Sequence, residues 1–433
     1  HYGFLFFDYL FKFILQLTID IQLKNGAVIT STDDNGEAAI QNSNQHKGTL
    51  TIHTEQGDIY ASGVYAGAWA TYGSSIFLTA DNTELVGNYG ILNNYNRDEF
   101  EISNITTNAE NGNNTVTANT AGIRNLGGIV TLIADNGINN ITAARYGTYA
   151  SGTNSKVTLS AKENKITVVG TTNGATGIYA DTTSDINLEA RINNIINAGD
   201  IKTVAVDDVD TDFGSAYGIY AVNSSDVTLN AGNQNTALGA VYAGGKASDK
   251  TTAVSLIGGS NVIQSAAAIA GAGDLNDGRD IISSLYAEDG AQISVSGAQN
   301  VIRTYAEDPE DPNTLERTIW AYNTADITID GQTYISTDRY EETDEAQKGN
   351  SADIAIAAGT ATGLDKPTVE APVPDRATVS VKYDTTSAIT GDILSAYAGQ
   401  VDITPKSDTA QMHITGNILA GNNGVLNVNL GNG

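Results

Sequence analysis

One short pattern recurs along this chain and limits what it can fold into. It reads GIYADTTSDINLEARINNII at 177–196 and GIYAVNSSDVTLNAGNQNTALG at 218–239, with variants at 63–87, 147–170, 284–302 and 319–336. Most copies open on a small residue, an aliphatic, Tyr and Ala. A polar turn follows, then a stretch with aliphatic residues at alternate positions, then a turn that usually holds Asn. Self-similarity of this kind builds a chain from stacked units, so 433 residues need not divide into several globular domains.

The alternation has the period of a β-strand. Ile186, Leu188 and Ala190 share one face and Asn187 and Glu189 the other; Val227, Leu229 and Ala231 repeat this, as do Val157, Leu159 and Ala161. The small opening residue precedes the first aliphatic of the second strand by nine positions at Gly177–Ile186, Gly218–Val227, Ser284–Ile293 and Thr318–Ile327. Openings at Gly63, Gly90, Gly122, Gly147, Gly177 and Gly218 suit a coil of two or three short strands with variable outer loops. Like strands must then lie parallel on like strands. The expected fold is all-β: a right-handed, single-stranded parallel β-helix with loop excursions. About a dozen coils would give a rod of about 60 Å.

Two recurrent residues allow alternative readings. Asn82, Asn136, Asn164, Asn193, Asn233 and Asn300 follow the second strand. Asn tolerates left-handed backbone angles, so a corner is the simpler role, and an internal amide ladder is the other. Tyr65, Tyr149, Tyr179, Tyr220, Tyr242 and Tyr286 hold one place in successive units. If Ile178 and Ala180 face the core, Tyr179 faces away. The tyrosines then form either an outward stacking platform for a sugar or protein, or a packed column under loops.

Lys plus Arg total 22 and Asp plus Glu 50, a net charge of −28, which disfavours nucleic acid and anionic lipid as partners. The absence of cysteine excludes disulfides and thiolate metal sites. Residues 1–23 stand apart, holding five of the eight Phe (Phe4, Phe6, Phe7, Phe11, Phe13). Asp8, Lys12 and Gln16 interrupt that run, so it reads as a cap or an export-signal remnant and not as a membrane span. The strand grammar is expected over 24–433. Between 305 and 378 it loosens into acidic or Pro-bearing loops that hold five of the six Pro.

The units GIYA…SDVTLNA and the closing GNILAGNNGVLNVNLGNG resemble the passenger region of bacterial autotransporters of the type V secretion pathway, over roughly residues 50–433. That resemblance implies a right-handed β-helix carried to the surface of a diderm bacterium, outer-membrane-anchored or secreted, by a C-terminal barrel. The chain, starting at His1 and ending in the strand pattern, is then expected to be an internal piece. Some passengers of this family are serine proteases, but their GDSGS motif is not found here.

No catalytic, cofactor-binding or metal-binding residue is assigned. His1, His46, His53 and His413 form no ligand or nucleophile–base motif. DDVDTDFG (207–214) offers Asp208, Asp210 and Asp212, but Phe213 and Ile219 occupy the Gly and Glu positions of a calcium loop. GAGDLNDGRD (271–280), with Asp274, Asn276, Asp277 and Asp280, is also out of register, so solvated acidic turns are the simpler reading of both. The expected function is non-enzymatic: a surface passenger displaying loops for adhesion or self-association. Its partners would be a host or bacterial surface protein or glycan, with no nucleic acid and no membrane insertion by this piece. The alternatives are a β-helical polysaccharide-active enzyme, which would gather carboxylates from adjacent coils with a Lys or Arg in one groove, and a stalk that only sets distance.

Overall fold

The computed structural model describes residues 18–32, 37–43, 47–94, 102–170, 175–206, 209–245, 251–269, 280–305, 314–337, 353–359 and 376–431. Among them there is no helix, and the strands wind into a right-handed parallel β-helix of three faces. On the first face 129–134, 156–161, 185–190, 226–231 and 253–258 lie in register, each parallel to the next. The second face stacks 139–143, 164–168, 194–198 and 235–238. The third stacks Tyr146–Ser151, Thr176–Asp181, Tyr217–Val222 and Ala240–Gly244. The described strands complete thirteen turns, one for each third-face strand from Ala38–Asn42 to Ile418–Ala420, and begin another at Val425–Val428. The expected two or three strands per coil are three.

Alternation makes the interior. Leu132, Leu159, Leu188, Leu229, Leu256 and Val295 stack inside the first face; Ile141, Ile166, Ile196, Ala237 and Ile263 inside the second; and Ile178, Ile219, Val241, Leu285 and Ile319 inside the third. All are buried in one apolar cluster that runs the length of the rod. Each Val, Leu or Ile among them contributes about 1.5–3 kcal/mol by leaving water, and its neighbours above and below are mostly of the same kind. Small residues open the third-face strands because the second face packs against them. A Cβ on Gly177 would stand 2.4 Å from Ile196 Cγ2 and 2.6 Å from the Gly218 carbonyl oxygen.

The corner between the first and second faces corrects the simpler reading of the asparagines. Asn114, Asn139, Asn164, Asn194, Asn235, Asn261 and Asn300 are buried and form one continuous amide ladder. Each Nδ2 donates to Oδ1 of the next asparagine at 2.8–2.9 Å. The second Nδ2 hydrogen meets backbone carbonyls at the bend, as from Asn194 to Asn230 O at 3.0 Å. Asn164 and Asn300 belong to this ladder. Asn193 and Asn233 point outward beside it, Asn233 Nδ2 donating to Asn193 Oδ1 at 3.1 Å, and Asn136 is exposed. None of the ladder residues has positive φ. A buried amide is kept because it satisfies its own kind across coils and closes the backbone bend, not because Asn tolerates a left-handed turn. The left-handed residues sit at the turn from the third face to the next first face, in pairs such as Thr182–Thr183, Asn223–Ser224 and Asn323–Thr324.

Excursions leave mostly at the corner between the second and third faces. Ile201–Val206 and Val209–Gly214 form an antiparallel hairpin there, and Ala268–Ile269 pairs antiparallel with Asp280–Ile282. Within 305–378, Thr314–Ala321, Asp326–Thr337 and Asp353–Ala358 are ordinary rungs. The acidic and Pro-bearing stretches 306–313, 338–352 and 360–375 lie outside the described residues. So do residues 1–17. Thr18–Leu23 pairs in parallel with Thr49–Thr54, so the rod already includes the last six residues of the segment the sequence sets apart.

Candidate functional site, an aromatic strip on the third face

The tyrosines point away from the interior, as alternation requires. Ile178 and Ala180 are buried in the core while Tyr179 between them is half-buried on the outer surface. Register places Tyr149, Tyr179, Tyr220, Tyr242, Tyr286 and Trp320 directly above one another. Ring centroids of the tyrosines are 4.7, 5.2, 4.7 and 5.6 Å apart, with planes within 3–19° of parallel. Trp320 closes the column edge-on at 5.3 Å from Tyr286.

Stacking decides what this column offers. The ring faces are turned toward their neighbours in adjacent coils, so a ligand meets edges and hydroxyls. Each offset pair adds about 0.5–1.5 kcal/mol beyond burial. The column is therefore outward and also packing, which joins the two readings the sequence left open.

Exposure falls along the column. Tyr149, Tyr179 and Tyr220 are half-buried, Tyr242 is 8% exposed, and Tyr286 and Trp320 are fully buried. The excursion after the second face covers them: Ala267 and Ile281 join Tyr242, Tyr286, Trp320, Ile354, Ala357 and Leu394 in a second apolar cluster. Glu288 accepts hydrogen bonds from the hydroxyls of both Tyr242 and Tyr286, the latter at 2.7 Å. Burial, then the Glu288 carboxylate, pushes the phenols of Tyr242 and Tyr286 up from their ordinary value. Tyr179 is raised by burial and then by Asp181. The Arg317 guanidinium lies over the Trp320 ring at 4.2 Å and is fully buried.

A second aromatic row flanks the exposed part. Tyr89, Ala121, Tyr146, Thr176, Tyr217 and Ala240 are in register, so large and small residues alternate. Each small residue leaves room for a tyrosine to straddle two rungs. Tyr146 lies 5.2 Å from Tyr149 and 5.6 Å from Tyr179, its plane turned by 65° and 67°. Tyr217 lies 5.1 Å from Tyr220 and 6.1 Å from Tyr242, turned by 75° and 68°. Arg145 sits over the Tyr146 ring at 4.9 Å, and Arg124 donates to the Tyr89 hydroxyl at 3.1 Å. Tyr65 and Trp69 extend the aromatic surface toward the first coils, Tyr65 packing edge-on against both Trp69 and Tyr89. The Tyr-x-x-Tyr spacing at 146–149 and 217–220 was the sequence signal for this row.

The other candidates fare differently. Val209–Gly214 is an extended strand paired with Ile201–Val206, where a calcium loop would have to wrap, and Asp212 Oδ1 accepts from the Thr203 hydroxyl at 2.6 Å. Residues 207–208 and 271–279 lie outside the described residues. Among the described residues no three of His, Asp and Glu are placed to hold a metal ion. His53 and His413 sit on separate coils, and His1 and His46 are outside the described residues. On the first face, Lys156, Asp185, Glu189 and Asp226 from three adjacent coils line a groove of about 330 Å³ with Asn187, Thr228 and Asn230. No protein-family model, curated protein or solved structure matches the chain.

Proposed function

We propose that this chain is a rod displayed at the surface of a diderm bacterium, the passenger part of an autotransporter, acting by adhesion and not by catalysis. The observation that carries the adhesive reading is the half-exposed aromatic strip. Other large apolar side chains on the surface, such as Val28, Val64, Val169 and Ile257, are scattered singly, whereas the strip is continuous over several coils. Continuous apolar surface rimmed by polar groups is the mark of an interaction site. The −28 net charge keeps such rods apart in solution. The test is to present the chain on a non-adherent bacterium and count attachment to cells and to its own kind. Tyr146→Ala/Tyr217→Ala should lower attachment, and deletion of 338–352 and 360–375 should lower it further if the loops take part. Attachment equal to that of the empty display host would refute adhesion and leave the stalk and enzyme readings.

The first-face groove favours a second reading, a polysaccharide-active enzyme, because it gathers carboxylates from adjacent coils beside a lysine. Release of new reducing ends from a neutral or acidic polysaccharide, abolished by Asp185→Asn/Asp226→Asn, would establish it in place of adhesion alone.

A further inference from the structure

The stacked column is chemically unequal along its length. Tyr242 and Tyr286 donate their hydroxyls to one carboxylate, Tyr242 to Glu288 Oε1 and Tyr286 to Glu288 Oε2 at 2.7 Å. Tyr286 is fully buried and Tyr242 nearly so, whereas Tyr149, Tyr179 and Tyr220 of the same column are half-buried. Burial, and then Glu288, keep the two inner phenols protonated. Beyond them Trp320 is a poor place for positive charge. The Arg317 guanidinium lies over its ring at 4.2 Å, and its Nε1 donates to a weak base, the Gly359 carbonyl oxygen, at 3.4 Å.

These features suit one-electron chemistry. A phenol that loses an electron becomes strongly acidic, so it gives the electron up most readily where a base already accepts its hydrogen bond. Electrons pass readily between aromatic rings in contact, and from Tyr149 to Tyr286 the centroids step by 4.7–5.6 Å. The chain has no cysteine and one methionine against 20 tyrosines, so tyrosine is the side chain a one-electron oxidant mostly meets.

We infer that Tyr242, Tyr286 and Glu288 form a tyrosyl-radical site, oxidised through Tyr149, Tyr179 and Tyr220 by a one-electron oxidant at the rod surface, a peroxyl radical or the high-valent iron of a peroxidase. The oxidant takes one electron from a half-exposed phenol, and electrons then move outward ring by ring until Tyr242 or Tyr286 has supplied one. There the phenol O–H bond breaks and its proton forms an O–H bond with Glu288. The products are a neutral phenoxyl radical and a carboxylic acid. A surface reductant of the ascorbate or phenol class returns one electron through the same rings, and Glu288 returns the proton. Burial keeps the radical from coupling with a phenol of another rod. This site needs no ligand on the strip, so it stands apart from the adhesive reading.

The experiment attaches the oxidant to the whole chain. Ser151 points outward on the same strand face as Tyr149, and Thr158 points outward on the first face. With no native cysteine, Ser151→Cys or Thr158→Cys takes a single ruthenium(II) polypyridyl, which a flash and a cobalt(III) quencher convert to ruthenium(III). Tyrosyl absorbance should rise faster from position 151 than from 158. Electron paramagnetic resonance should lose the buried radical in Tyr242→Phe/Tyr286→Phe, and Glu288→Gln should lower its yield by about tenfold or more. In the labelled chain with no further change, heavy water should slow the rise, and a gadolinium chelate in solution should leave the radical's spin relaxation unchanged. These two readouts survive if a variant misfolds. An equal yield without the two hydroxyls or without the carboxylate, equal rates from 151 and 158, no slowing in heavy water, or relaxation hastened by the chelate overturns the inference. Dityrosine between rods in place of a buried radical overturns it too, because the oxidising equivalent then stays on the half-exposed rings.

Discussion

Replacing Asn194 with alanine tests how the corner is held. The residue is fully buried in the middle of the ladder. Its Oδ1 accepts from Asn164 Nδ2 at 2.9 Å. Its Nδ2 donates to Asn235 Oδ1 at 2.9 Å and Asn230 O at 3.0 Å. Alanine removes both amide–amide bonds, at about 1 kcal/mol each, and leaves the desolvated Asn235 Oδ1 without that donor, at about 1–3 kcal/mol. The expected loss is about 3–5 kcal/mol, confined to the coils around 164–235 because a solenoid transmits stability mainly between neighbours. Hydrogen exchange in those coils, with urea unfolding followed by circular dichroism, measures it. The control is Asn187→Ala on the outer face, whose side chain bonds Glu189 at 2.8 Å and whose loss should be under about 0.5 kcal/mol. Equal effects of the two substitutions would refute the reasoning. Asn194→Asp adds a sign test. Burial favours the protonated acid, so its folded pKa lies above the unfolded value of about 4 and the variant should lose stability as pH rises from about 4 toward 7.

Three further outcomes follow from the same geometry. Gly177→Ala should destabilise its coil by about 1–3 kcal/mol through contact with Ile196 and the Gly218 carbonyl, and Gly177→Ala/Ile196→Ala should recover part of it in a double-mutant cycle. The raised phenols of Tyr242 and Tyr286 favour the neutral form in the fold, so their contribution is complete below about pH 10 and is lost as pH climbs above it. Alkaline titration should therefore show part of the tyrosinate absorbance appearing only with unfolding, whereas full reversible titration of the folded rod near pH 10 would contradict the burial. Glu288→Gln removes the carboxylate that accepts both hydroxyls and helps hold both phenols up, and should bring that alkaline transition to lower pH, read by the same titration.

The rungs were legible in the sequence because each carries its own alternation. DINLEA and DVTLNA state which side is dry, and the nine-residue step states that the unit repeats. What hides the ladder is that its asparagines drift relative to the strand register. Asn193 and Asn194 are adjacent in sequence, and only the bend at the corner turns Asn194 inward. Bulges in the same corner, as between Ala161 and Glu163 against Ala190 and Asn193, shift the count from coil to coil. The orientation of the tyrosines followed from Ile178 and Ala180, but their mutual stacking did not, because ring planes depend on the neighbours one coil away. The alternation of Tyr89, Ala121, Tyr146, Thr176 and Tyr217 becomes visible only once coils of unequal length are laid in register. The covering of Tyr286 came from an excursion around 266–284 that has no counterpart in the repeat.

The stacking of coils is open to a direct distance measurement. Thr158, Asn187, Thr228, Ser255, Ser294, Thr328, Ser380, Asp402 and Asn427 form one outward column, one residue per coil. The chain has no cysteine, so paired spin labels on introduced cysteines report single distances. Electron–electron dipolar spectroscopy on the pairs 158/294, 158/380 and 158/427, four, six and eight coils apart, should give about 19, 29 and 38 Å, a straight line of about 4.8 Å per coil. Distances that fail to grow with the number of coils, or that cluster at one short value, would contradict a rod of rungs laid in register.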